Sequence, residues 1–273
     1  WILVSNISFE IARMKVKLGS TYGVDKMSDS TWIKRIVHDG GVVELSLNRG
    51  PVNALTPDGL FGLRDCINDL SGDLNVRAIV LSSPLKVLSA GLNLKEARAF
   101  NADQQDAIVR GLNEGFLALY ACPKPVICAI NGAAIAGGLF FVLTADHRIS
   151  APKAQFGLAE VRVGVDFPVG PLEIAKATLS SNDARRLMLR GQPVDAETAQ
   201  RMGMVDMIVD PEDVLPQALK DAAEFACIPA KAYASIKHQL RGDVIAKILA
   251  APPATDKWFT DETTVAMAKM LGE

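Results

Sequence analysis

Three short segments hold the residues whose types and spacing can do chemistry. The first, Ser89-Ala90-Gly91-Leu92-Asn93-Leu94, follows a β-rich run and is built around small residues. Small side chains let a ligand reach the backbone, so amide N–H groups can point at a substrate oxygen. The second runs from Asn131 to Gly138 and places a glycine pair, Gly137-Gly138, before the apolar stretch LFFVLTADH. A glycine pair at a helix start exposes unpaired N–H groups at the positive end of the helix dipole, a setting for an anionic oxygen. The third, Lys153 to Glu160, ends in a carboxylate among Phe156, Leu158, Ala159 and Val161. Desolvation there raises a carboxyl pKa and makes the group a better base toward a carbon acid.

Read locally, each segment also has an ordinary explanation. Ala-Gly turns serve strand-to-helix packing, Gly137 and Gly138 suit close helix contact, and a loop glutamate is commonly solvated or paired, here with Arg162. Cys66, Cys122, Cys128 and Cys227 form no CxxC pair and read as reduced thiols. His38, His147 and His238 are far apart and lack HExxH or HxxxH spacing, so no metal site is expected. A formal charge of -2 over 273 residues provides no cationic field, which argues against nucleic acid as the main partner.

The elements that must position these segments alternate between strand and helix. β-rich runs stand at 42 to 48, 78 to 83, 125 to 131 and 204 to 209, each followed by helical periodicity, which predicts an α/β fold. Thr56-Pro57 is an N-cap and first-turn pair, with Leu60, Leu63, Ile67 and Leu70 on one helical face. Asn101 and Gln104 form a capping box ahead of Ile108, Leu112, Phe116 and Leu119. The uncharged stretch from Val126 to Leu143 is long enough to raise a membrane span. Asn131-Gly132 and Gly137-Gly138 interrupt it, predicting strand, loop and buried helix instead. Helical signals dominate from Asn182 onward: Asp195 caps AETAQRM, Gly203 stops it, and Val214 to Cys227 follows. After Pro252-Pro253 a last amphipathic piece, Lys257 to Leu271, is expected to close over the body or onto a neighbouring subunit.

Taken together, SAGLNL, CPKPVICAINGAAIAGG, DHRISAPKAQFGLAE and GQPVDAETAQRMGMVDMIV resemble, in order and spacing, the crotonase (enoyl-CoA hydratase/isomerase) superfamily. The likeness runs from about Trp32 to the C-terminal helices. It implies a spiral of ββα units with a helical C-terminal region used for trimer formation. The implied organisation is an N-terminal extension at 1–30, a spiral core with an acyl-CoA site at 31–200, and a trimerisation region at 201–273. The oxyanion amides of the family map onto Ala90 and Gly137, its conserved loop glutamate onto Glu160. Pro51, Val52, Ala90, Gly91, Leu92, Asn93, Leu94 and Phe140 fall on substrate-binding positions.

Hydratases of the family use two glutamates, and the first of these positions is Phe140 here. Directing a water across a double bond needs two carboxylates, whereas moving the bond needs one base that takes and returns a proton. The pattern is similar to the mitochondrial type of Δ3,Δ2-enoyl-CoA isomerase, which implies a dienolate held by the two amides while Glu160 shuttles a proton. Other branches place a carboxylate where Pro168 stands; Asp166 is the candidate second carboxylate if the register shifts, and Glu114 is a further substitute under a hydratase reading. A non-catalytic acyl-CoA binder is the alternative from another class. The resemblance implies an acyl-CoA thioester substrate with no separate cofactor, no membrane span, and a homotrimer or dimer of trimers. Four Lys/Arg against two acidic residues in the first 26 leave the mitochondrial matrix as an alternative to the expected cytoplasm.

Overall fold

A computed structural model of the chain describes residues 32–252 and 257–272. The extension expected at 1–30 lies outside the described residues. Strands β1 (Ile33–Val37) and β2 (Val42–Leu47) form an antiparallel pair, and helix α1 (Pro57–Gly72) leads to β3 (Ala78–Ser82). Next come the short helix α2 (Leu94–Ala97), the long α3 (Ala102–Ala121), β4 (Val126–Ile130) and β5 (Ala134–Ile135). The one-turn helix α4 (Phe140–Leu143) precedes β6 (His147–Ser150) and β7 (Gln155–Gly157). Then follow α5 (Glu160–Val163), α6 (Val169–Thr178), α7 (Ser181–Arg190), β8 (Val194–Asp195), α8 (Ala196–Arg201) and β9 (Met207–Ile208). Helices α9 (Val214–Ala226), α10 (Ala230–Ala250) and α11 (Asp261–Met270) complete the chain.

The main sheet has the order β1-β2-β3-β4-β6-β9, and all its pairs after the first are parallel. A second sheet has the order β5-β7-β8. The chain therefore climbs as a spiral. β4 in the main sheet is followed by β5 in the small one, and β6 by β7. β3 is likewise followed by Ser89, which bridges in parallel to Ala134.

Strands β2, β3 and β4 are buried along their whole length, as parallel strands covered on both faces must be. Val43, Leu45, Ile79, Leu81 and Cys128 point to the face covered by α1 and α3. Val42, Val80, Ile127 and Ala129 point to the other, where α9 presents Val214, Ala218 and Ala222. The sequence-derived caps hold: Thr56 Oγ1 accepts from Gly59 N at 3.2 Å, Asn101 and Gln104 cap each other, and Asp195 accepts from Thr198 N. Helix α10 is pinned from inside. Lys237 is 7% exposed and donates to the Lys124 carbonyl and Asp146, whose other oxygen pairs with Arg241 at 2.8 Å. No helix among the described residues is long and apolar enough to cross a membrane.

The stretch from Val126 breaks as expected, although the helix after the glycines lasts a single turn before Thr144. Phe116 of α3 meets Phe140 and Phe141 of that turn at centroid distances of 5.4 Å each. Phe116→Ala removes the hub of this fully buried cluster. It is expected to cost about 3–5 kcal/mol, read from urea unfolding at unchanged m-value.

Candidate active site

The three chemistry-bearing segments are neighbours because of the small sheet. Ala134 pairs in parallel with Phe156 and Ile135 with Gly157, while Ser89 bridges to Ala134. Three extended segments thus run side by side in one direction. Ala90 lies one residue beyond Ser89, Gly137 two beyond Ile135, and Glu160 three beyond Gly157. Their functional groups leave the same end of the sheet.

Close backbone contact sets the first half of the site. A Cβ added to Gly138 would stand 2.3 Å from the Ser89 carbonyl oxygen, and one added to Gly137 would stand 2.7 Å from Leu55 Cδ1. Gly91 has φ +77°, and a Cβ there would fall 3.0 Å from Ala136 Cβ and 3.2 Å from Gly137 N. Ala136 itself has φ +50°, an uncommon conformation for a residue with a side chain. Two left-handed positions face each other, and the space beside Gly91 is closed by the Ala136–Gly137 backbone. Gly137 is the second residue of the turn Ala136–Leu139, where the first N–H groups have no intrahelical acceptor.

The structure corrects the expectation for Ala90. Its N–H donates to the Val52 carbonyl at 3.0 Å, and the Gly91 N–H donates to Ser89 Oγ at 3.2 Å. The next amide, Leu92, has no acceptor among the described residues and follows directly on Gly91, where an added Cβ would stand 3.2 Å from Gly137 N. Sequence comparison alone does not separate amides two residues apart. Asn53 organises this wall. It is fully buried at φ +49°, donates to Leu88 O and Ser83 Oγ at 2.9 Å each, and its carbonyl accepts from Ser89 Oγ at 2.8 Å. Asn53 was not singled out as a site residue from the sequence; its signal was an Asn beside Pro51-Val52 in a turn requiring positive φ.

Of the remaining substrate-binding candidates, Leu92, Asn93 and Leu94 are partly exposed, Val52 is half-buried and Pro51 exposed. Asn93 caps α2 by accepting from Lys95 N, and it donates to Glu96. Phe140 is buried in the aromatic cluster around Phe116.

Glu160 opens α5 and is 7% exposed, with no hydrogen-bond partner for Oε2. Burial pushes its carboxyl up to about 7, against a smaller opposing pull from its own backbone N–H. The surface pairing with Arg162 does not occur, since Arg162 is exposed while Glu160 is buried. Asp166 is also exposed, and its contribution is its carbonyl, which accepts from Trp258 Nε1 at 2.9 Å. Glu114 is paired with Arg64 on the face of α3. Neither substitutes for a missing carboxylate.

A carboxyl raised by burial makes the fold less stable as pH rises. The unfolded chain releases this proton near the ordinary value of about 4.3 and the folded chain only near 7, so stability is lost across that window. Glu160→Gln is therefore expected to match wild type at pH 4.5 and to exceed it by on the order of 2–3 kcal/mol at pH 8.5. Denaturation midpoints at the two pH values check this; an equal difference at both would contradict it.

Residues 38–269 match the family described as enoyl-CoA hydratase/isomerase. The chain is 33% identical over 201 residues to the probable enoyl-CoA hydratase EchA17 of Mycobacterium tuberculosis, covering 73% of this chain and 76% of that protein. Among solved structures it is similar to human mitochondrial Δ3-Δ2-enoyl-CoA isomerase, at 26% identity and a TM-score of 0.82 over 89% of this chain and 97% of that one. DspI of Pseudomonas aeruginosa is similar at 31% identity and a TM-score of 0.74, over 81% and 84% of the two chains. With its fold, its paired backbone segments and a family match over most of its length, the chain belongs to the enoyl-CoA hydratase/isomerase family of the crotonase superfamily.

Proposed function

We propose that this protein is a Δ3,Δ2-enoyl-CoA isomerase that converts 3-enoyl-CoA to trans-2-enoyl-CoA for fatty acid β-oxidation. The observation that carries the reading is a single desolvated carboxylate, Glu160, with the position of a second glutamate filled by a phenylalanine locked into an aromatic cluster. Ionised Glu160 removes a proton from C2, and the negative charge moves onto the thioester oxygen as a dienolate. The Leu92 and Gly137 N–H groups donate hydrogen bonds to that oxygen; donors of this kind contribute on the order of a hundred- to a thousandfold each. Protonated Glu160 then returns the proton at C4. A carboxyl near 7 suits both halves of the shuttle, because it takes and gives the proton without a large driving-force penalty in either direction. With no second carboxylate to bind and direct water, addition across the product double bond is disfavoured.

Relatives that carry the name hydratase support a second reading, in which the chain hydrates an enoyl-CoA. Assaying trans-3-hexenoyl-CoA and crotonyl-CoA side by side separates the two. Isomerisation is expected to dominate, to rise with pH toward a plateau above about 7, and to fall by roughly a hundred- to ten-thousandfold in Glu160→Gln. Hydration at a rate equal to isomerisation would exclude the proposal.

The assembly proposed with this activity is a homotrimer or a dimer of trimers joined through the C-terminal helices. Beside the inward-facing Lys237 and Arg241, α10 carries Ile236 and Leu240 one turn apart, 57% and 79% exposed. An apolar ridge of this kind on a pinned helix suits burial against another copy. Ile236→Glu with Leu240→Glu is expected to reduce the sedimenting species to monomer; retention of the wild-type mass would rule out this face.

A further inference from the structure

The segment after residue 256 reaches back to the loop that carries Glu160, and none of the motif-bearing segments includes it. Thr263 is fully buried in the first turn of α11, and its Oγ1 donates to the Gly164 carbonyl at 2.6 Å. Gly164 ends the Glu160 turn in the left-handed conformation, φ +69°, with its Cα facing Thr263; a Cβ there would stand 3.2 Å from Thr263 Cα. Val165 N donates back to the Glu160 carbonyl, so the clamped residues are tied directly to the carboxylate's own backbone. Two residues on, the Asp166 carbonyl accepts from Trp258 Nε1. Between these two bonds, Val163 and Val165 are buried with Met267 and with Ala97 of α2. Phe259 stacks on Phe100 at 6.4 Å, and its N–H donates to Gln105. The segment therefore joins the base loop to the helices that follow the Leu92 amide.

We propose that Thr263, together with Trp258, is a positioning residue for Glu160, holding the loop 160–166 by its carbonyls and sealing it from water. This rests on the reading of Glu160 as the base. A hydroxyl and an indole N–H each satisfy a carbonyl that would otherwise draw solvent into the turn. Loss of either lets water reach the carboxylate, and hydration favours its charged form. The charged groups on elements packed against the turn are Asp261, Glu262 and Lys269 on α11, Asp183, Arg185, Arg186 and Arg190 on α7, and Lys95 and Glu96 on α2. Arg162 and Asp166 belong to the loop itself. The upward shift of Glu160 comes from burial and from none of these charges, so a change in what covers the turn is what would move it.

The test is an NMR titration of the full chain labelled with ¹³C-carboxyl glutamate, in which the Glu160 signal is the one lost in Glu160→Gln. Wild type is expected to titrate at about 7. Thr263→Val and Trp258→Phe are each expected to lower the midpoint by about half a pH unit or more, toward the ordinary glutamate value. Thr263→Ser, which keeps the hydroxyl, is expected to stay with wild type. Should Thr263→Val not fold, Trp258→Phe carries the test. Midpoints in the variants equal to wild type would overturn the proposal. The titration needs no turnover, so it stands apart from the enzymatic reading, which fails separately if Glu160→Gln isomerises trans-3-hexenoyl-CoA as wild type does.

Discussion

The contact on which the site depends is a backbone meeting a backbone. The Ser89 carbonyl lies where a side chain on Gly138 would begin, and Ile135 N donates to that same oxygen at 3.0 Å. Nothing larger than hydrogen at Gly138 is compatible with it. Once Ser89 is held against the Ala134–Gly138 segment, the parallel register with Phe156 and Gly157 fixes where Glu160 emerges. The groups of a catalytic site have to be held to a fraction of an ångström, and hydrogen-bonded backbone gives less freedom than side chains on separate loops. The left-handed conformations at Gly91 and Ala136 follow from the same approach, since both chains must turn away sharply after touching.

Glu160 sets stability against chemistry. An unpartnered carboxylate oxygen in a dry environment disfavours the charged form, and the fold tolerates this because the surrounding structure is over-determined. The buried pair Lys237 and Asp146 takes the opposite arrangement. There every charge meets a counter-charge or a carbonyl, and the result is a fixed joint between α10 and the sheet. Buried charge serves anchoring in one place and reactivity in the other, and the difference is whether its partners are present.

Much of the scaffold was legible in the sequence because its signals are local. N-caps at Thr56, Asn101 and Asp195, the apolar faces of α1 and α3, and the strand runs before them depend on residues within one or two turns of each other. The small sheet was not legible, because strands of two or three residues have no periodicity to read. That omission matters most, since this sheet makes the site. It also explains why Ala90 reads as a free amide in the sequence: whether its N–H or that of Leu92 is occupied depends on which neighbour each meets, and Val52 lies far from Ala90 in sequence. Asp166 misled for a related reason, as its carbonyl and not its carboxylate is the group held by Trp258.

Phe140 carries more weight than overall identity in separating the two chemistries of the family. A name attached to a relative at one-third identity reports a shared scaffold, and one scaffold hosts many reactions. The local packing is more restrictive. Phe140 is wedged against Phe116, and Phe141 touches both Phe116 and the ring of Trp32, so the turn after Gly137 is committed to an aromatic core. A carboxylate at this point would be buried among these rings, and desolvation would disfavour its charged form. The turn that carries Gly137 thus has a core phenylalanine where hydratases of the family have a glutamate. What remains at the site is one buried carboxyl, Glu160, beside the free amides of Leu92 and Gly137, the set on which the proposed proton shuttle rests.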